Sequence, residues 1–411
     1  MERLHQLFLE TLGAFLRGAS LQWEDVSEAE WDALLSLSQE HHVLPMVYEA
    51  VRQCPAFSRA NRNRTAQLQQ QIRQTVARQM AATEEFLRLY LALCNAGANP
   101  LVVKGIVCRS LYPMPDWRRS GDEDVLIDPK EYWLCKRVLG DFGLLPEDCP
   151  EDAYEIPFSR EDGPLYIELH RSLFPGDSQA YGHFNALFDG AMDRAVTVTV
   201  QGQPIRTLCP TDHLLYLLCH AYKHFLHSGF GIRQVCDMAL FANRYGRQID
   251  WEWILDRCRS IRAEKFAAAL FAICREYLTL DYDAAGYPAC WREIAADPGP
   301  LLAELLQSGI YGQTDPARLH SGNITLDSVA AQKQGRRAKN GLAASLFPPA
   351  KRLRGRYPYL QRHPWLLPVA WASRILRYGG RSREEDGSNA ARILRMGSHR
   401  LDLLRLYGII D

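Results

Sequence analysis

Hydrophobic periodicity changes twice along this 411-residue chain, and that change limits what it can fold into. Before residue 97 apolar residues recur at helical spacing, with Leu4, Leu7, Phe8, Leu12, Phe15 and Leu16 on one face. Ser27 with Glu30 three residues on has the layout of a capping box, opening a helix that carries Trp31, Leu34, Leu35 and Leu37. Arg64–Cys94 reads as one long helix stopped near Gly97. From about residue 98 short β-rich runs take over: Pro100–Val103, Asp122–Ile127, the alternating Leu165–His170, and a hairpin of Val196–Val200 with Ile205–Leu208. Asp128 before Pro129 marks a helix start among them. Beyond Pro210 the helical period returns until about residue 280. The predicted fold class is α+β, a small core of mixed sheet and helices flanked by helical regions. Its expected divisions are 1–97 (helical), 98–208 (α/β core), 209–330 (helical) and 331–411 (a basic Pro/Arg-rich strap with helices).

Composition narrows the function classes. With 47% apolar and 23% charged residues the chain is not a disordered one. The longest clear apolar run, Phe266–Cys274, is nine residues, far short of the roughly 20 that a spanning helix needs. Glu2, Arg3, His5 and Glu10 among the first apolar residues lack the layout of a secretory signal. Eleven cysteines occur without a C-x-x-C pair, which points away from a disulfide framework or a zinc ribbon. A cytoplasmic location is expected. The balance of 48 basic and 48 acidic residues hides an asymmetry: from Lys333 onward 17 Lys/Arg face 5 Asp/Glu, a net of +12. Lys351, Arg352, Arg354 and Arg356, interleaved with Tyr357, Tyr359, Trp365 and Trp371, have the composition of a polyanion-binding surface. Prolines at 348, 349, 358, 364 and 368 instead suit an extended strap with buried aromatics and arginines paired to acids of the body. The strap is the expectation, and nucleic acid is not an expected partner.

The sharpest chemical feature is Gly121-Asp122-Glu123-Asp124-Val125-Leu126-Ile127. Side chains alternate along a strand, so Asp122 and Asp124 share a face and Glu123 points away. Two adjacent carboxylates repel unless a cation sits between them, and oxygen pairs suit Mg²⁺ or Mn²⁺. Val102-Val103-Lys104-Gly105 ends a strand at a glycine, where amides can approach a phosphate and the following helix favours negative charge. Arg118 and Arg119 add cations suited to a triphosphate. Glu168 lies on an alternating strand with Tyr166 and His170 on its face and Ile167 and Leu169 opposite. A third carboxylate on a neighbouring strand is what a two-metal phosphoryl-transfer site requires.

In this order, Leu101–Gly105, Leu111–Pro113, Arg118, Gly121–Ile127 and Ile167–His170 resemble the bacterial uncharacterised nucleotidyltransferase family, part of the polymerase-beta-like nucleotidyltransferase superfamily. The likeness takes in His41 to Pro45 upstream. Downstream it takes in Cys219–His224, Arg233 with Asp237, and the stretch from Leu346 to Arg374. The resemblance implies a polymerase-beta-like core at 98–208 and a Mg²⁺- and NTP-dependent transfer of a nucleoside monophosphate, with ATP the expected donor. It implies that Asp122 and Asp124 hold both metals, and that Glu168 completes one metal site and serves as base. Lys104 and Gly105 stand where the superfamily usually has Gly-Ser, and Ile106 replaces the serine, so phosphate contacts would come from amides and the lysine. Glu123 occupies a position more often apolar. The acceptor is a hydroxyl or phosphate left open among sugar, polysaccharide or lipid intermediate, peptide and protein, and oligomeric state is left open too.

Other residues admit two readings. His220 and His224, four apart on a helix, have zinc-ligand spacing, but Ala221 stands where a metalloprotease motif has its glutamate. The expectation is one core histidine, with Lys223 near the phosphates. Arg233 and Asp237 read as a helix-face ion pair or domain tie, and His41 and His42 as packing residues. The alternative to catalysis is a non-catalytic nucleotide- or partner-binding module of the same fold.

Overall fold

The N-terminal periodicity resolves into helices α1 (Arg3–Leu16), α2 (Glu28–Glu40), α3 (Leu44–Val51), α4 (Pro55–Ala60) and α5 (Thr65–Asn95). The structure, a computed structural model, describes residues 2–60, 65–150, 152–227, 229–308, 316–333, 350–353, 357, 359–373 and 389–411. Ser27 caps α2 as its spacing predicts: Glu30 N–H donates to Ser27 Oγ, and Ser27 N–H donates to Glu30 Oε2 at 2.8 Å. The face so fixed buries Trp31 and Leu34 completely. At 31 residues α5 spans about 45 Å. It ends where Gly97 turns to φ +94° and the amides of Gly97 and Ala98 donate to the carbonyls of Cys94 and Leu93. His41 is buried against Phe8, with Nε2 3.3 Å from the Leu306 carbonyl, so it packs rather than ligates.

The β-rich interval folds into β1 (Leu101–Val103), β2 (Glu123–Leu126), β3 (Leu145–Pro146), β4 (Glu155–Ser159) and β5 (Tyr166–His170). They form one mixed sheet in the order β1-β2-β5-β4-β3. β2 and β5 are parallel and the other neighbours antiparallel. A parallel pair needs a long crossover, and here it contains α7 (Tyr132–Asp141) and the β3–β4 pair. Val125, Ile167, Leu169, Ile156 and Phe158 pack into one core with Phe86, Leu89 and Leu93 of α5 and Val138 and Leu139 of α7. α6 (Gly105–Arg109) follows β1 directly. A separate hairpin pairs β6 (Val196–Val200) with β7 (Gln203–Thr207) through Gln201 and Gly202, both at positive φ. The helical return is α8 (Pro210–His227), α9 (Ile232–Tyr245), α10 (Trp251–Ser260), α11 (Glu264–Tyr277), α12 (Ala289–Arg292) and α13 (Pro298–Ser308). The fold is α+β, a five-stranded mixed sheet with flanking helices.

Contacts divide the chain into two compact units, Met1–Ala221 with Gly231–Ile310, and Tyr222–Phe230 with Tyr311–Asp411. The first holds the sheet. The second is built on α14 (Pro316–Lys333) and the helix Asn389–Leu406. A Cβ on Gly322 would lie 1.8 Å from the His227 carbonyl oxygen, so only glycine permits that approach, and Thr325 Oγ1 donates to the Leu226 carbonyl beside it. Of the expected basic strap, residues 354–356 and the side chains of Lys351 and Arg352 lie outside the described residues. Tyr357 is buried with Leu353, Leu360 and Ala370, whereas Trp365 is 73% exposed.

Ser27 lies within the first unit and its cap is a local contribution. Ser27→Ala is expected to lower stability by about 1 kcal/mol, and Ser27→Asp to leave it nearly unchanged. Denaturant midpoints at constant slope are the measurement.

Candidate functional site

All four residues of β2 are buried, so its acids must each find partners. Glu123 turns to the core face with Val125 and is only 3% exposed. Its Oε2 accepts the Ile106 N–H at 2.7 Å and its Oε1 accepts Arg109 Nη2 at 2.7 Å. Gly105 makes room for it: a Cβ there would lie 1.9 Å from Glu123 Oε2, and its φ is +33°. The unusual acid on this strand is therefore a buried ion pair that also caps the start of α6.

On the opposite face, Asp124 stands in register with Glu168 across the parallel β2–β5 pair, and Leu126 with His170. Asp124 is buried; its Oδ1 lies 3.1 Å from His170 Nε2 and its Oδ2 2.8 Å from Lys104 Nζ. His170 lies 3.6 Å from Glu168 Oε2 and 3.8 Å from Glu155 Oε2. Donor atoms of Asp124, Glu168 and His170 all fall within 4.8 Å of one another, the group among the described residues that could hold a metal ion. Asp122, half-buried just before β2, acts on Glu168 through its charge. Burial opposes ionisation of Asp124, yet the Lys104 ammonium and the His170 hydrogen bond hold its carboxyl well below the usual carboxylate range. Burial, then the charges of Asp124 and Asp122, raise Glu168 to about 7 despite His170. His170 is disfavoured as a cation by burial but lifted to about 9 by Asp124 and Glu168. A half-buried carboxyl that titrates near neutral pH is suited to taking or giving a proton.

Lys104 is held from every side described. Its backbone adopts φ +75°, uncommon for a non-glycine residue, and its N–H donates to His213 Nε2 at 3.1 Å. That bond leaves the His213 proton on Nδ1, 3.3 Å from Thr207 Oγ1, and burial keeps the ring neutral by lowering its pKa to about 3. The Lys104 ammonium lies 3.2 Å from His220 Nε2, and His220 Nδ1 lies 3.4 Å from Gln234 Oε1. His220 is thus a lysine partner, and His224 is not part of the metal-capable group.

Of the residues singled out in the sequence, Lys104, Asp124 and Glu168 come together, with Asp122 beside them. Gly105 packs on Glu123. Arg118 is 4% exposed and committed elsewhere: Nε donates to Asp237 Oδ1 at 3.1 Å and Nη2 to Oδ2 at 2.5 Å, with Tyr112 Oη donating to Oδ1 at 2.7 Å. Asp237 therefore pairs with Arg118, and Arg233 instead donates to the Arg119 carbonyl. Lys223, half-buried on α8, belongs to the second compact unit. Three histidines join the site's polar network: His170, already on the Glu168 face by alternation, and His213 and His220, brought in from α8 by the fold.

A family model described as an uncharacterised nucleotidyltransferase matches residues 27–279. The chain belongs to that family. Its match includes every residue of the β2–β5 site and ends before the stretch from Leu346 to Arg374. No curated protein and no solved structure matches the chain. Membership in a nucleotidyltransferase family accords with the convergent group of Asp124, Glu168 and His170 that could hold a metal ion. Among the described residues no helix is long and apolar enough to cross a membrane.

The titrations give a signed expectation. His170 titrates near 6.5 in an unfolded chain and near 9 here, so its stabilisation is complete below pH 6.5 and lost as pH rises through 9. Glu168, raised from 4.5 to about 7, acts in the same direction at lower pH. In EDTA the protein is expected to be less stable at pH 9 than at pH 6, by an amount on the order of a few kcal/mol. His170→Gln should flatten the part above 6.5, which thermal melts across that range will read.

Proposed function

We propose that this chain transfers a nucleoside monophosphate from an NTP, with ATP the expected donor, to an acceptor hydroxyl or phosphate, in a reaction dependent on Mg²⁺ or Mn²⁺. The observation that carries the reading is the in-register pairing of Asp124 with Glu168 on the sheet face turned away from the apolar core. Asp122, Asp124 and Glu168 are the proposed metal ligands. When bound, the ion neutralises phosphoryl charge and polarises the transferring group.

The residues of the chain have separable tasks on this reading. His170 fixes the orientation of the Asp124 carboxylate through the 3.1 Å contact. Glu168 accepts the proton of an acceptor hydroxyl as its oxygen bonds to the α-phosphorus and pyrophosphate departs. Acceptor choice is a property of pocket shape rather than of these carboxylates. A second reading, a nucleotide- or partner-binding module without turnover, draws on a different observation. Lys104, Arg118 and the Ile106 amide, all expected at phosphates, are each engaged by a carboxylate of the protein itself.

Calorimetric titration with each NTP should show binding with Mg²⁺ or Mn²⁺ and its loss in EDTA; equal binding in both would remove the carboxylates as metal ligands. Glu168→Gln keeps size and removes basicity, so labelled-nucleotide transfer to a cell extract should fall about 10²–10⁴-fold. NTP binding through the aspartates should largely survive. Transfer at the wild-type rate would sink the base assignment, while a melting change without a turnover change would mark Glu168 as structural.

A further inference from the structure

In a two-ion site, a shared aspartate turns one oxygen to each cation. Asp124 is the carboxylate in the sharing position, at the middle of β2 and opposite Glu168. Its Oδ2 already faces a cation, the Lys104 ammonium at 2.8 Å, with the lysine side chain only 8% exposed, while its Oδ1 lies 3.1 Å from His170 Nε2, a neutral-form metal ligand in its own right.

We propose that Lys104 is a resident cation filling one of the two cation places beside Asp124, so that the site takes a single divalent ion per chain. The inference rests on the metal-dependent reading above and changes its ion count. Three features support it. The lysine is positioned at both ends, its amide on His213 and its ammonium against His220, and His220 is itself backed by Gln234. Its backbone is held at φ +75°, a conformation a non-glycine residue keeps only where its surroundings fix it. A second ion on Asp124 would also stand beside an ammonium that cannot move away without giving up its buried partners.

The test counts ions directly and does not depend on turnover. The full chain is loaded with Mn²⁺ and α,β-methylene-ATP, a donor that cannot transfer, and bound Mn²⁺ is measured by equilibrium dialysis and electron paramagnetic resonance. The wild type should hold one Mn²⁺ per chain. Lys104→Met, which keeps the aliphatic stem, and Lys104→Ala should each hold two. Two ions in the wild type would overturn the proposal whatever the variants do, and one ion in wild type and variants alike would show that the lysine excludes nothing. No Mn²⁺ in the wild type would defeat the metal-dependent reading itself, a result distinct from both.

Discussion

Three consecutive acids at the start of an inner strand create the demand that much of this architecture answers. A carboxylate cannot be buried without donors or a cation, and the period of a strand sends neighbours to opposite faces. Glu123 therefore draws Arg109 and the Ile106 amide toward the core side, while Asp124 draws Lys104 and His170 on the other. Those partners come from α6, from the end of β1 and from β5, so satisfying β2 also sets which elements flank it. Asp122, one step outside the strand, stays half-buried and keeps the acid face accessible.

Much of this was legible along the chain, because alternation is a short-range rule. Asp122 and Asp124 on one face, Glu168 and His170 on a neighbour's, and the Ser27 cap all follow from spacings of two or three residues. The strand β4 was not legible: Pro157 lies in its middle and lowers any strand reading, yet it is accommodated opposite Glu168, beside an edge strand only two residues long. The partners of the cations were also hidden. Arg118 and Asp237 are 119 residues apart, and Lys104 and His220 are 116 apart. Local spacing favoured Arg233 with Asp237 because they are neighbours on a helix, but a buried aspartate takes the partner that can reach it with two parallel bonds, and Arg118 supplies them.

Local spacing also placed Lys104, Arg118 and the α6 amide in one class, donors to a triphosphate, and the fold separates them. Arg118 is a tie between the segment before β2 and α9, made from a fully buried pair with Tyr112 as third member. The Ile106 amide belongs to Glu123. Cations and amides near the site thus hold its acids in place, and releasing any of them to a ligand would strand a buried carboxylate, a step that costs several kcal/mol. On the proposed reading, the charge of an incoming NTP is then met chiefly by the divalent ion at Asp122, Asp124 and Glu168, since the positive groups around it are already balanced. On the same reading, a wall whose cations are already paired, with Asp122 and Glu168 half-buried on its acid face, would favour a nucleotide that arrives with its metal over one that arrives alone. That preference follows from electrostatics fixed during folding, before any nucleotide arrives.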